Sequence, residues 1–196
     1  MHTFVQKHPN MMKVKNKKIK LFCFILVLVA FLMFVTAFAT PYFIEIKYST
    51  GVHNAGLWKY CKPVSGKTTC INTEIEVDLP YVKVCQAMSI MALVYGIVGV
   101  VSMGLRLFCF QEKMIWQIIA IVTMFAVVFY SLVPVGLFLF YTNAGLGKGS
   151  KLGYSFIICV LGEIIAVISS IVMIIDLLCC KKVRVNNATN IPRREV

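Results

Sequence analysis

Cys61 and Cys70 are the residues whose type and spacing could support covalent chemistry in this chain. They lie in the polar stretch GLWKYCKPVSGKTTC of a 196-residue sequence that is 59% hydrophobic. Two thiols at this separation can form a disulfide, which in the chain-entropy model stabilises a loop this short by about 2–3 kcal/mol. Zinc binding with His53 as a third ligand is the alternative, although the spacing matches no common zinc pattern. The compartment that contains this stretch decides between them.

Four long apolar segments predict a membrane protein. With only 14% charged residues, the chain is too apolar for an ordinary soluble domain, and each segment has the roughly 20 residues that a membrane-spanning helix needs. The run FCFILVLVAFLMFVTAFA is apolar all round, which favours contact with lipid. A cleaved signal peptide is the alternative for this first segment, because Ala37-Phe38-Ala39 resembles a cleavage site, but its length and basic leader favour a retained anchor. The predicted spans are 21–41, 84–105, 114–141 and 153–178.

The distribution of charge predicts the topology. The net charge of +12 could suggest nucleic acid, but lysines and arginines cluster before the first span and after the last. An even number of spans places both termini on one side, and the excess of basic residues marks that side as cytoplasmic. We therefore expect one multi-pass plasma-membrane domain over residues 1–196, with the bilayer and no nucleic acid as partner. Its cytoplasmic segments are 1–20, 106–113 and 179–196, and its extracellular loops are 42–83 and 142–152.

The first extracellular loop is expected to be folded. Disulfides persist outside the cell, so a bridge between Cys61 and Cys70 is the favoured interpretation. FIEIKY and INTEIEVDL alternate apolar and polar residues with period two, which is typical of strands with one covered face, and Leu57 to Cys61 is a further expected strand. The predicted fold class is an all-α membrane protein, a bundle of four transmembrane helices with a small extracellular antiparallel β-sheet.

The signature of the first loop resembles a known family. The string GLW, two residues, Cys, eight residues, Cys is similar to that of the claudin and peripheral myelin protein superfamily, which includes the epithelial membrane proteins and the lens fibre membrane intrinsic protein. Gly56, Leu57, Trp58, Cys61 and Cys70 carry the resemblance. It implies a claudin-like fold in which Trp58 and the disulfide fix the sheet on the bundle. The alternative is that Trp58 itself contacts a partner.

Two other stretches resemble the epithelial and myelin branch of that superfamily. Gln86 stands where claudins usually have arginine, and the opening of the fourth span, residues 153–157, is also similar to that branch. The family commonly has a tryptophan just beyond the first span, and here that position is Phe43. A phenylalanine can fill the same apolar site, but it lacks the indole donor.

Glu163 is a carboxylate near the middle of the fourth span. Burying it ionised in hydrocarbon is so unfavourable that it is expected to be protonated or to find a partner between helices. Tyr130 and Ser89 are the expected partners, and a docking point for a partner's transmembrane helix is the alternative. Small residues at steps of three and four in the second and fourth spans indicate close helix packing within the bundle. An interface between copies of the chain in a homo-oligomer is the alternative.

The tail after the fourth span carries two further candidate sites. Cys179 and Cys180 directly precede two lysines and are candidates for palmitoylation, and claudins carry a similar pair. The final Val196 could bind a PDZ groove. That ligand would be weak, because Arg194 occupies the place of the usual serine or threonine.

The remaining residues favour a role without catalysis. The sequence contains no pair of catalytic acid and base residues, no phosphate-binding loop and no metal-binding motif. Neither an enzyme nor a cofactor is therefore expected. The resemblance implies a protein that organises cell–cell contact, junctions or membrane domains, with membrane-protein partners in the same bilayer or across cells. One alternative is an auxiliary subunit of a channel or receptor. Another is a paracellular-pore claudin whose acidic residues Glu74, Glu76 and Asp78 attract cations.

Overall fold

Over the residues that it describes, the computed structural model contains four long helices and one five-stranded antiparallel sheet. It describes residues 7–49, 51–64, 67–73, 80–109, 114–143 and 150–189, without the side chains of 7–17, 80, 81, 141–143 and 180–189. The predicted fold class, a four-helix bundle with a small antiparallel sheet, is confirmed. The helices are α1 (Lys7–Ala39), α2 (Pro80–Phe108), α3 (Ile115–Asn143) and α4 (Tyr154–Thr189). The strands are β1 (Ile44–Tyr48), β2 (Gly51–Ala55), β3 (Lys59–Val64), β4 (Lys67–Asn72) and β5 (Ser150–Leu152).

Each helix contains a stretch that is long and apolar enough to cross a membrane. Large apolar side chains cover the outside of the bundle, with Phe129 66% exposed and Ile164 50% exposed. Such a surface suits lipid, since soluble proteins rarely expose large contiguous apolar patches. We call the end of the bundle beside the sheet the sheet end, and the end where Lys18, Phe108 and Cys179 lie the tail end. The four stretches are Lys18–Ala39, Val82–Phe108, Ile115–Phe140 and Tyr154–Cys179.

The sheet joins both loops of the sheet end. Its strand order is β4-β3-β2-β1-β5, so β5, from the connection between α3 and α4, pairs with β1 at the edge. Ile44 lies opposite Leu152, and Ile46 lies opposite Ser150. Neither β2 nor β5 was expected from the sequence. The expected strand from Ile71 to Leu79 overlaps β4 only at Ile71 and Asn72, because β4 ends at Asn72; residues 74–79 lie outside the described residues.

A column of aromatic rings connects the bundle to the sheet. The ring of Phe38 stacks on Phe34 at 6.0 Å between centroids and on Phe43 at 6.4 Å. Phe43 in turn stacks on Phe138 of α3 at 5.0 Å. Phe43 is fully buried, so the phenylalanine just beyond the first span is a core residue. Buried aromatic rings supply large apolar contact areas, so this column stabilises the junction.

Candidate functional site

The sheet packs against the segment from Thr40 to Phe43, which follows the end of α1. A Cβ on Gly56 would lie 2.5 Å from the Cα of Pro41, and a Cβ on Gly153 would overlap the carbonyl oxygen of Tyr42. The Gly153 amide donates to the Phe43 carbonyl at 2.9 Å. Only glycine lets two backbones approach this closely. The absence of a Cβ at Gly56 and Gly153 therefore allows the sheet to pack against the segment that follows α1.

The signature turn is held by hydrogen bonds from neighbouring elements. The side chain of Leu57 is fully buried, and the carbonyl of Leu57 accepts a 2.9 Å bond from Nε2 of Gln86 on α2. Thr73 donates its amide to the Trp58 carbonyl at 3.1 Å and its hydroxyl to the Gly56 carbonyl at 3.2 Å. From the sequence Gln86 indicated only a branch of the superfamily. Its role is to bind the turn to the bundle.

In the Gly56-Leu57-Trp58 turn, the side chain of Leu57 is buried and that of Trp58 is not. The backbone of Trp58 is bonded to Thr73, but its side chain is 38% exposed. An indole in this position combines an apolar ring with a donor that can face water. The two expectations for Trp58, a structural role and contact with a partner, both stay predictions.

The two cysteines of the first loop form a disulfide. Cys61 of β3 and Cys70 of β4 lie directly opposite each other, and their sulfur atoms are bonded. The zinc alternative is wrong, because both thiols are consumed and His53 is hydrogen-bonded to the Tyr60 hydroxyl at 2.7 Å. The described residues also contain no group of His, Cys, Asp and Glu able to hold a metal.

An aromatic row, Tyr48, His53 and Tyr60, crosses the first three strands. Tyr60 is buried, His53 packs on it with ring centroids 5.7 Å apart, and Tyr48 packs on His53 at 4.6 Å. Tyr48 at the end of the row is 53% exposed. The row therefore holds an exposed tyrosine in a defined position, which is the kind of anchor that dominates protein interfaces.

Glu163 lies between α3 and α4 and is 8% exposed. The hydroxyl of Ser131 lies beside its carboxyl group, and this hydroxyl donates to the Val128 carbonyl at 3.1 Å. The two partners expected from the sequence have other contacts: Ser89 donates to the Cys85 carbonyl at 2.7 Å, and the ring of Tyr130 stacks on that of Tyr95 at 5.4 Å. Docking of a partner's transmembrane helix on Glu163 would require an exposed carboxyl.

Glu163→Gln is expected to change the free energy of unfolding by less than about 1 kcal/mol. The amide can still bond to Ser131, and interhelical hydrogen bonds in membranes average only about 0.6 kcal/mol. Unfolding by sodium dodecyl sulfate in mixed micelles measures the change in the free energy of unfolding. Ser131→Ala, which removes the hydroxyl on the other side of this contact, is the matched variant. A loss of several kcal/mol in Glu163→Gln would show that the carboxyl has a role that this contact does not provide.

A polar network at the tail end was missed in the sequence. The sequence placed Arg106 at the start of a loop, but α2 continues to Phe108 and Arg106 is 2% exposed. Its Nη2 lies 3.4 Å from Oδ2 of Asp176 on α4. Gln117 of α3 donates to the same oxygen at 3.2 Å and to the Met173 carbonyl at 2.6 Å. Since charges of opposite sign inside spans pair with each other, Asp176 within the fourth span was the available signal.

These features define the class of protein as a tetraspan membrane protein with a disulfide-bonded antiparallel sheet at one end. The chain belongs to the PMP-22/EMP/MP20/Claudin family, whose model matches residues 17–174. This match confirms the resemblance found in the signature residues. No curated protein sequence matches the chain.

Gln86→Leu is expected to lower the free energy of unfolding by about 1–3 kcal/mol. The substitution keeps a large side chain on α2 but leaves the buried Leu57 carbonyl without its donor, and an unsatisfied buried group carries that penalty. Val84→Ala, at a 44% exposed position, is the control and should change stability by no more than about 0.5 kcal/mol. Equal unfolding midpoints for the two variants would contradict the role given to Gln86.

Proposed function

We propose that this protein is a non-enzymatic plasma-membrane tetraspan that organises contacts through its extracellular sheet, at cell junctions or within membrane domains. The single observation that carries the proposal is the exposed Tyr48, held by the aromatic row on a disulfide-bonded sheet. A surface that contacts partners benefits from such rigidity, because less conformational entropy is lost on binding.

The proposed orientation places the sheet end outside the cell. The basic residues before the first span and after the last favour cytoplasmic tails, and the disulfide favours an oxidising compartment for the sheet. Loops 42–83 and 142–152 are then extracellular, while 1–20, 106–113 and 179–196 are cytoplasmic. With this orientation, the half-exposed indole of Trp58 lies near the outer membrane interface, where tryptophans are enriched.

Cys61→Ser is expected to retain most of the protein inside the cell. The bridge holds β3 to β4, and its loss from a small extracellular unit typically costs 2–5 kcal/mol. Labelling of surface proteins with a membrane-impermeant biotin reagent measures the effect, with Cys109→Ser, which removes an exposed free thiol, as the control. Wild-type surface labelling of Cys61→Ser would contradict this prediction.

Contact between cells is tested by aggregation of suspended cells that lack other adhesion proteins. Cells expressing the protein should form clusters, and Tyr48→Ala should abolish clustering at equal surface expression. Thr68→Ala, an exposed position on the edge strand β4, is the matched control and should cluster like the unchanged protein. Clustering that persists in Tyr48→Ala would remove the support that the aromatic row gives to the proposal.

The alternative roles are outcomes of two further measurements. A channel or receptor subunit that co-purifies in stoichiometric amounts from mild detergent would indicate an auxiliary subunit. A cation-selective dilution potential across a cell monolayer, abolished by Glu76→Gln, would indicate a paracellular pore. The acidic residues Glu74, Glu76 and Asp78 lie outside the described residues.

Palmitoylation of the tail remains part of the proposal. Cys179 is a free, exposed thiol two residues before Lys181. The side chain of Cys180 lies outside the described part of the chain, as does the PDZ ligand ending in Val196. Hydroxylamine-dependent exchange of acyl groups for a mass tag measures the modification. Loss of the mass tag in the double variant Cys179→Ser with Cys180→Ser would assign the modification to these two cysteines. A homo-oligomer is a separate question and would appear as crosslinked dimers in the same cells.

A further inference from the structure

A groove of about 380 Å³ runs between α1 and α4 at the tail end. Its walls are apolar, formed by Ile19 and Phe22 of α1 and by Val172 and Ile175 of α4. Phe22 is 54% exposed and Ile175 is 55% exposed, so the groove opens on the lipid-facing side of the bundle.

The groove lies where hydrocarbon gives way to headgroups. Lys18 and Cys179, which line it, lie where the apolar runs of the first and fourth spans meet lysines in the sequence: Lys20 directly precedes the first run, and Lys181 and Lys182 follow Cys180. An occupant therefore has an apolar part along the walls and a polar part beside Lys18.

The size of the groove indicates what the apolar part is. An α-helix about 10 Å across, with a pitch of 5.4 Å, fills roughly 420 Å³ per turn. The space in the groove is smaller than one such turn, so a thin occupant fits into it more closely than a helix does. A single extended acyl chain is a closer match.

The accessible charge of the groove is positive. Asp176 also lines it, but this residue is 6% exposed and its carboxylate faces Arg106 and Gln117 inside the bundle. Lys18 is exposed. An anionic headgroup therefore complements the groove, and an ammonium headgroup would have no accessible carboxylate to bind.

We propose that this groove binds one anionic glycerophospholipid, with an acyl chain between Phe22 and Ile175 and the phosphate on Lys18. The chain of this lipid would cover the outer side of Asp176 and keep water from the polar network. With the orientation proposed above, the lipid comes from the cytoplasmic leaflet, which is rich in anionic lipids.

Native mass spectrometry of the purified full chain in mild detergent tests this site. The protein is titrated with dioleoylphosphatidylserine or dioleoylphosphatidylcholine, and bound lipids are counted. Phosphatidylserine should bind more tightly, and Lys18→Gln should weaken its binding about fivefold, the effect of one near-surface lysine. Ile175→Trp, which narrows the groove, should weaken binding of both lipids.

Two lysine variants control for general basicity. Lys13→Gln removes a charge from the same basic region of α1, and Lys47→Gln removes one from the sheet. Both should bind phosphatidylserine with less than a twofold change. An equal loss in Lys13→Gln and Lys18→Gln, or equal binding of the two lipids to the unchanged protein, would overturn the site.

An acyl chain attached to Cys179 is the other candidate occupant of the groove. If hydroxylamine, which cleaves thioesters, increased phosphatidylserine binding, the protein's own chain would have filled the groove and the proposal would be wrong. Binding unchanged by hydroxylamine supports it. The titration is done in detergent, so its result does not depend on the orientation of the protein in the cell. That orientation is measured separately, by the access of protease to the protein's tails in intact cells.

Discussion

Arg106→Met is expected to lower the free energy of unfolding by about 3–5 kcal/mol. The substitution leaves Asp176, 6% exposed, without the guanidinium at 3.4 Å. Removing one partner of a buried ion pair is strongly destabilising, because the remaining charge stays in a medium that solvates it poorly. Unfolding by sodium dodecyl sulfate, followed by circular dichroism, measures the loss.

The double variant Arg106→Met with Asp176→Leu separates the ion pair from packing. Replacing both charges by apolar side chains of similar size is often neutral or stabilising, so the double variant should recover most of the lost stability. Phe108→Leu, at a 71% exposed position of the same helix end, controls for general effects. Losses that simply add in the double variant would show that the two side chains do not interact.

Gly153→Ala is expected to destabilise the junction of sheet and bundle by about 3 kcal/mol or more. The added methyl group would overlap the Tyr42 carbonyl oxygen and lie 2.8 Å from the carbonyl carbon, and both atoms belong to the backbone. Relief requires the backbone at Gly153 to move away from Tyr42, which strains the neighbouring bond from the Gly153 amide to the Phe43 carbonyl. Overpacking of this kind costs typically 1–3 kcal/mol, and more where backbone must shift.

Gly136→Ala is the matched control for this substitution. A Cβ at Gly136, inside α3, meets nothing within 4 Å, so alanine should be neutral or stabilise the helix by about 0.5–1 kcal/mol. Thermal unfolding of both variants in the same detergent provides the comparison. If Gly153→Ala unfolded at the same temperature as Gly136→Ala, the backbone contact at Gly153 would not be what holds the sheet on the bundle.

The helices were predictable because lipid imposes a strong requirement on sequence. A spanning helix needs a long apolar run, and each of the four runs was visible without any contact information. The disulfide followed from two cysteines in one loop. β1 was visible through its alternating side chains, whereas β2 contains Gly51 and His53 and lacks a clear alternation.

The remaining parts depend on contacts between distant segments. β5 is a strand only because Ser150 to Leu152 pair with β1, more than a hundred positions earlier in the chain. The hydrogen bond from Gln86 to Leu57 and the ion pair of Arg106 and Asp176 likewise join separate elements. No local pattern encodes such pairings, although a charge inside an apolar run indicates that a partner exists.

Contact between membranes through the oxidised sheet is tested most directly with reconstituted vesicles. Two vesicle populations carry the purified protein and either a donor or an acceptor fluorophore in their lipids, and energy transfer reports clustering. Energy transfer should rise above that of protein-free vesicles, fall to that level with Tyr48→Ala or after reduction of the Cys61–Cys70 bridge, and persist with Thr68→Ala. Vesicles that fail to cluster, or that cluster equally with Tyr48→Ala, would contradict a contact role for the sheet.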